Sequence, residues 1–378
     1  MQEWIDVVRQ QMPHLNKPQA VVLALWSFGM VLARSCGLTS VTHTIAKLTE
    51  QKEDTVRQRL REWNRDGPDK CGKKRLELEV STCFVPLLRW ILRWWDPQER
   101  RMVLAMDATT LGDRYVALVI SVVYRACAIP IAWKVFAFDR QSAWKPEWLV
   151  LFETFREVIP HDWTVLVLAD RGLYANWLFG AIRALGWHPF LRINANGKYC
   201  RQGSSQFLPL SQLVQHHGDT WSGTVTCFKA NPVRATLLVC WAEPYTDPWL
   251  ILTDLPTDQA AIVWYSLRAW IECGFRHIKR GGWQWHQTRM TDPARASRHW
   301  LAIAVATLWV VSVGGEVDPS LPASTLDPLP PDRPQPHAHS HPRLLSCFRL
   351  GIFAILIALI QHRPLPLGSF RPRYGPFD

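Results

Sequence analysis

RMVLAMDATTLGDRYVALVISVVYRACAIPIAWKVF, residues 101–136, decides the fold. It contains three apolar and β-branched runs, RMVLAMD (101–107), VALVISVVY (116–124) and AIPIAWKVF (128–136), separated by short turns. That pattern predicts a three-stranded antiparallel meander. Downstream, the sequence predicts a helix over 145–158, a buried strand TVLVLAD (164–170), a helix over 174–185 and a strand HPFLRI (188–193). Antiparallel strands followed by strand–helix–strand units give an α/β class, a mixed sheet flanked by helices.

Toward the N-terminus, residues 1–98 read as a helical domain. Val21 to Leu32 is an apolar run, Asp54 caps DTVRQRLREW (54–63), Gly67-Pro68 stops that helix, and Phe84 to Trp95 starts another. Arg57, Arg59, Arg61 and Arg65 suit a DNA-gripping face, although Glu53, Asp54, Glu62 and Asp66 nearly cancel them as a solvated helix would. Toward the C-terminus, 99–194 holds the first part of the core and 195–261 a β-rich insertion with runs such as SGTVTCF (222–228) and WLILTDLP (249–256). Residues 262–320 return to the core. Helix resumes at Asp258, breaks at Gly281-Gly282 and restarts with Asp292 as cap and Pro293 at the first position. Residues 321–378 form a Pro- and His-rich linker and a C-terminal helix. His337, His339 and His341 there form a short tract that could hold a metal but is more simply incidental.

The formal net charge of +11 and a pI near 9.4 point to a polyanionic partner. Nine cysteines without a CxxC pair argue against a disulfide scaffold and a structural zinc site. The N-terminus lacks the apolar stretch of a signal peptide. The longest apolar run, Leu350 to Ile360, falls short of the roughly 20 residues that span a bilayer. The expectation is a cytoplasmic protein with no membrane partner. The 21 tryptophans should supply buried anchors and stacking platforms.

Asp107 and Asp170 each end a predicted apolar strand, at the sheet edge where α/β folds place ligands. Aspartate after a strand also serves as a turn residue or helix cap. Asp113 and Asp162 lie in turn-like contexts outside the strands. In WYSLRAWIECGFRHIKR (264–280), a helix would bring Tyr265, Arg268, Glu272 and Lys279 within an arc of roughly 60°, with Arg276 one turn past the glutamate. Mixed charges at such spacing also occur as solvated pairs.

Tyr265-x2-Arg268-x3-Glu272-x6-Lys279 resembles the Y-x2-R-x3-E-x6-K signature of bacterial insertion-sequence DDE transposases. The resemblance covers about residues 100–310 and includes Asp107, the pair Asp170-Arg171 and the β-rich insertion before the glutamate. It implies an RNase H-like catalytic core in which Asp107, Asp170 and Glu272 are catalytic and bind Mg²⁺, with Mn²⁺ as substitute. Three converging carboxylates would repel one another without such cations, and hard oxygen ligands suit them. It further implies DNA partners (the element's terminal inverted repeats and a target), a homodimer on the DNA, and cut-and-paste transposition in a bacterial cell. Tyr265, Arg268, Lys279 and Arg276 would hold DNA phosphates. Trp249 would stack on a flipped base or, equally, sit as an ordinary strand Trp. Arg171 and Arg192 are further DNA-contact candidates. The competing readings are an RNase H-like nuclease without strand transfer and a silent, DNA-binding domesticated copy.

Overall fold

The computed structural model describes residues 1–71, 76–97, 99–139, 143–243, 245–317 and 345–370. The chain forms two compact units, one of residues 1–99, 108–159 and 270–378, the other of 100–107 and 160–269. In chain order, helices α1 (Gln2–Gln11), α2 (Lys17–Ala33), α3 (Leu38–Thr49), α4 (Glu53–Trp63) and α5 (Phe84–Trp94) come first. Strands β1 (Arg101–Leu111), β2 (Tyr115–Tyr124) and β3 (Cys127–Ala137) follow, then α6 (Lys145–Glu153), β4 (Thr164–Ala169), α7 (Asn176–Ala184) and β5 (His188–Arg192). Next are β6 (Lys198–Arg201), β7 (Leu208–Pro209), β8 (Thr220–Cys227), β9 (Val233–Cys240) and β10 (Trp249–Thr253). Helices α8 (Ala269–Arg276), α9 (Pro293–Val317) and α10 (Cys347–Ile360) complete the chain.

Local chemistry explains the boundaries. α2 opens on a reciprocal cap: Asn16 accepts from the Gln19 amide while the Gln19 side chain accepts from the Asn16 amide, with Pro18 in the first turn. α9 begins as expected, Asp292 accepting from the Arg295 amide at 2.8 Å. The cap expected of Asp54 is not made. α4 starts one residue earlier behind Lys52 and ends at Trp63, before Gly67-Pro68, so Asp54 instead places its charge in the first turn, where the helix dipole favours it. α6 likewise ends short of the expected 158.

In the first unit α9 is the central element. Trp300 and Trp309 are fully buried, Trp309 stacks on Trp4 at 4.1 Å between ring centroids, and the Trp133 indole donates to the Ser297 carbonyl. Aromatic bodies of this size dominate core energetics. α10 crosses α9 where Gly351 meets Val310: an added Cβ would lie 1.8 Å from the Val310 carbonyl oxygen. The apolar run 350–360 is thus a packed helix, as expected. A longer one went unnoticed in the sequence. α9, with a mean hydropathy of 1.7 over its best window, is long and apolar enough to cross a membrane, as is the bent pair α2–α3, yet 89% of that α9 window is buried in protein. The linker, with His337, His339 and His341, lies outside the described residues.

β1 is shared by both units. In the first, the strand order is 3-2-1, β2 and β3 being antiparallel with a bulge at Ile120/Ser121 opposite Pro130, which has no amide hydrogen to donate. In the second, the order is 1-4-5-10-9-8-6-7, with β1, β4 and β5 parallel and the rest antiparallel. An antiparallel 3-2-1 followed by parallel 4 and 5 is the RNase H-like mixed sheet. The β-rich residues after 195 extend it, because β10 pairs with β5 directly.

Candidate active site

The β1–β4 register runs Arg101↔Thr164 to Ala105↔Leu168. Two residues further along that register Asp107 comes level with Asp170, and level residues of parallel neighbours share a face. Asp170 stands just past the end of β4, as expected. Asp107 does not end its strand. β1 continues through Ala108, Thr109 and Thr110 to Leu111, because those residues still pair with β2 around the turn at Gly112. Asp107 is therefore held by strand geometry rather than by a loop.

The helix expected over 264–280 is not one helix. Residues Ile262–Arg268 form a tight 3₁₀ stretch, α8 follows, and His277–Gly281 widen into a π turn. The start at Ala261 has no side-chain cap, and uncapped ends commonly tighten into i→i+3 turns. The 60° arc of Tyr265, Arg268, Glu272 and Lys279 is accordingly broken into a 3₁₀, an α and a π portion. The tight turn has a consequence. At three residues per turn, Tyr265 and Arg268 eclipse one another, so both reach the same aspartates.

Arg268 Nη2 lies 2.8 Å from Asp107 Oδ2 and 3.7 Å from Asp170 Oδ2. The Tyr265 hydroxyl donates to Asp170 Oδ1 at 3.4 Å, and the same oxygen accepts the Arg171 amide at 2.7 Å. Side chains of Arg268, Asp107 and Asp170 are 16%, 19% and 34% exposed, so water screens their charges only in part. Two carboxylates that would repel are reconciled by one guanidinium. Burial raises the Tyr265 pKa, the Asp170 charge adds to that, and Arg268 and Arg192 partly offset it, so the phenol stays a hydrogen donor at neutral pH.

Behind Tyr265 stands Trp249, edge-on at 5.1 Å, and Tyr245 tilts against Trp249 at 4.7 Å. Trp249 is half-buried rather than sealed in the core. Arg171 pairs with Asp247 at 2.9 Å and Arg192 donates to the Pro248 carbonyl at 3.2 Å, so both expected DNA arginines brace the segment leading into Trp249. Sequence reasoning missed Tyr245 and Asp247. Only their place in the turn before WLILT could have flagged them.

Glu272, Arg276 and Lys279 belong to the first unit. Glu272 and Arg276 are exposed on α8, whereas Lys279 is half-buried in the π turn, where burial lowers its pKa and Arg280 adds to the effect. α8 lies close on β3 at Gly274, where a Cβ would stand 2.8 Å from Ala128 Cβ. Any larger residue would push away the helix that carries Glu272. Among the described residues, no three His, Cys, Asp or Glu side chains are arranged to hold a metal ion. The donor chemistry of Asp107 and Asp170 nevertheless suits a hard divalent cation: paired carboxylate oxygens, partly screened from water and already gathered on a positive charge.

A mixed sheet with a carboxylate pair on adjacent parallel strands defines the class: an RNase H-like enzyme core. The chain belongs to the transposase DDE domain family, whose model matches residues 121–309, half of the chain. That makes it a transposase, in a family of enzymes that cut and transfer DNA. Asp170 and Glu272 fall inside the matched stretch and Asp107 outside it. No curated protein matches. Among solved structures, the chain is similar to a piggyBac transposase synaptic complex with hairpin DNA, at 11% identity and a TM-score of 0.38, covering 81% of this chain and 73% of that one. It is also similar to human ENDOV, at 12% identity and a TM-score of 0.25, covering 55% and 88%.

Proposed function

We propose that this protein is a cut-and-paste DNA transposase that nicks the ends of its own insertion sequence and joins the freed 3′-ends to a target. The reading is carried by the convergence of Asp107 and Asp170 on Arg268 in a chain of this family. Asp107, Asp170 and Glu272 are the catalytic carboxylates, with Mg²⁺ or Mn²⁺ as cofactor. Such a cation, when bound, supplies charge neutralisation and polarisation of a phosphoryl oxygen. Asp107 and Asp170 would hold the cation, and Glu272 is the third carboxylate of the proposed set. Tyr265 orients Asp170 and keeps its proton at neutral pH. Arg268, beside the two aspartates, would meet a DNA phosphate, for which its planar fork is suited. Lys279 and Arg276 add phosphate contacts, Arg171 and Arg192 hold the Trp249 segment near the strand, and Trp249 stacks on an unpaired base. The protein acts on inverted-repeat ends as a homodimer on DNA in a bacterial cytoplasm.

The experiment is a cleavage and strand-transfer assay on DNA carrying the flanking repeats, with and without divalent metal. Asp170→Ala is expected to bind the ends and cut nothing. Mg²⁺-dependent cutting by purified Asp170→Ala would overturn the site assignment. Cleavage without joining of precleaved ends would leave a nuclease instead of a transposase.

A further inference from the structure

The first unit carries two neighbouring cavities that the carboxylate chemistry does not use. One, of about 390 Å³, is walled by Arg34, Arg280 and Arg349 around Gly281-Gly282. The other, of about 640 Å³, is walled by Arg61, Arg289 and the start of α3. Gln284, held in a left-handed conformation at φ 57°, lines both. Neither lining contains an Asp or Glu, and all five arginines are exposed. Five guanidiniums converging on acid-free hollows repel one another until an anion enters.

Two further features point inward. α3 starts at Gly37 without a side-chain cap, and its first intrahelical bond is from the Val41 amide, leaving the amides of Leu38, Thr39 and Ser40 at the positive end of the helix dipole. His299, 1% exposed, lines the same cavity, where a hydrogen bond to the Cys36 backbone raises its pKa against the larger lowering by burial.

We propose that the two cavities are one track for the phosphate backbone of DNA, with successive phosphates held by Arg34, Arg280 and Arg349 and by Arg61, Arg289 and the start of α3. A single small anion would occupy one hollow and leave the other's charges unanswered. A continuous polyanion answers both. The proposal deepens the transposase reading and rests on it. It also sorts the arginines of 57–65: Arg61 lines this track, Arg57 donates to the hydroxyl of Thr39 in its wall, and Arg65 donates to the Asp69 carbonyl.

The test measures duplex DNA binding by the full chain across a salt series, with divalent metal chelated. Arg34→Gln/Arg280→Gln/Arg349→Gln and Arg61→Gln/Arg289→Gln are each expected to weaken binding by about ten-fold or more, the log–log salt slope falling by about 0.9 per lost phosphate contact. Arg156→Gln, which removes an exposed arginine paired with Glu153, should bind like wild type. Arginine-to-lysine versions of both sets keep the charge and should restore most of the slope, which guards against a glutamine set that folds poorly. Wild-type protein that binds no DNA would sink the transposase reading itself. Wild-type binding matched by both variants in affinity and slope would sink the track alone. In a further arm, inorganic phosphate is titrated against protein carrying ¹⁵N-histidine. If phosphate alone shifts the His299 resonances while the arginine variants bind DNA normally, the hollow takes a small anion and the track is wrong.

Discussion

Asp107 and Asp170 stand on neighbouring strands of the second unit, tied to Arg268 and Tyr265 in a partly desolvated cluster. Glu272 stands on an exposed position of α8 in the first unit, with Arg276 exposed beside it. The difference separates two ways of keeping a carboxylate. In the cluster, charge is stabilised by a fixed cation, so the aspartates contribute to folding beside the chemistry proposed for them. On α8, the glutamate stands at an exposed position, where water screens its charge more fully. Neutralising substitutions should split along this line. Asp107→Asn and Glu272→Gln are both expected to cut cleavage by on the order of 10³-fold, the equivalent of a few kcal/mol of lost cation-based stabilisation. Asp107→Asn should also lower the melting temperature more than Glu272→Gln does, because it leaves the part-buried Arg268 short of a partner. Equal melting temperatures for the two variants would erase the distinction.

Acid should find the first unit before the second. Burial holds His299 and His277 at about 4, against 6.5 for an ordinary histidine, with neighbouring arginines adding to the effect on His277. Depressed values of this kind give stability that is complete above pH 6.5 and is lost as the pH falls toward 4, because the unfolded chain takes up protons that the folded rings refuse. For His299 alone the loss is on the order of 3 kcal/mol. Hydrogen exchange followed from pH 7 to 4 should show α9 and residues 277–281 opening first. Earlier opening of β1, β4 and β5 would reverse the comparison, and His299→Gln should flatten the acid slope.

Arg268→Gln probes the cluster from its cationic side. Removing the guanidinium leaves two adjacent carboxylates without the cation they share, while Asp170 keeps the Tyr265 hydroxyl and the Arg171 amide. In metal-free protein the expected cost is about 1–3 kcal/mol in urea unfolding, the range for stranding partly buried polar groups. Added Mg²⁺ should return more stability to the variant than to wild type, since the ion and the guanidinium compete for the same oxygens. A variant as stable as wild type without metal, and indifferent to Mg²⁺, would mean that Arg268 is an ordinary surface pair.

The legible and illegible parts of the molecule divide by range of interaction. RMVLAMD and TVLVLAD announce buried strands because every residue between the polar ends is apolar, and the parallel pairing that levels Asp107 with Asp170 follows from the strand–helix–strand order. Asp292-Pro293 shows a helix start directly, since capping needs only neighbours in sequence. The broken helix over 262–281 was hidden, because 3₁₀, α and π turns share side-chain preferences and differ in backbone bonding. The end of β1 was misplaced for a related reason: Ala108 to Leu111 stay extended by pairing with β2, a partner invisible to local pattern. The close approach of Gly274 to Ala128 is likewise a contact between elements that local pattern does not show. Arg268 could be read as a cation on a helix face, but nothing in its spacing told that two sheet aspartates would claim it.

Trp249 offers the smallest effect and the finest cut. Its ring meets Tyr265 edge-on, and Tyr265 in turn donates to Asp170, so the indole supports the aspartate cluster through one intermediary. An aromatic pair of this geometry contributes about 0.5–1.5 kcal/mol beyond its buried area. Trp249→Leu, which keeps a buried apolar side chain without the ring face, should therefore cost roughly 1 kcal/mol in urea unfolding, and Trp249→Phe less. The two roles of the ring then separate in the presence of DNA. If Trp249 only props Tyr265, Trp249→Phe retains cleavage and the fluorescence of 2-aminopurine at the transposon end is unaffected. If the half-buried ring also receives a base, Trp249→Leu raises that fluorescence while Trp249→Phe, which can still stack, lowers cleavage by only a few-fold. A leucine variant that cuts and stacks like wild type would reduce Trp249 to a strand residue and confine the chemistry to Asp107, Asp170 and the groups that touch them.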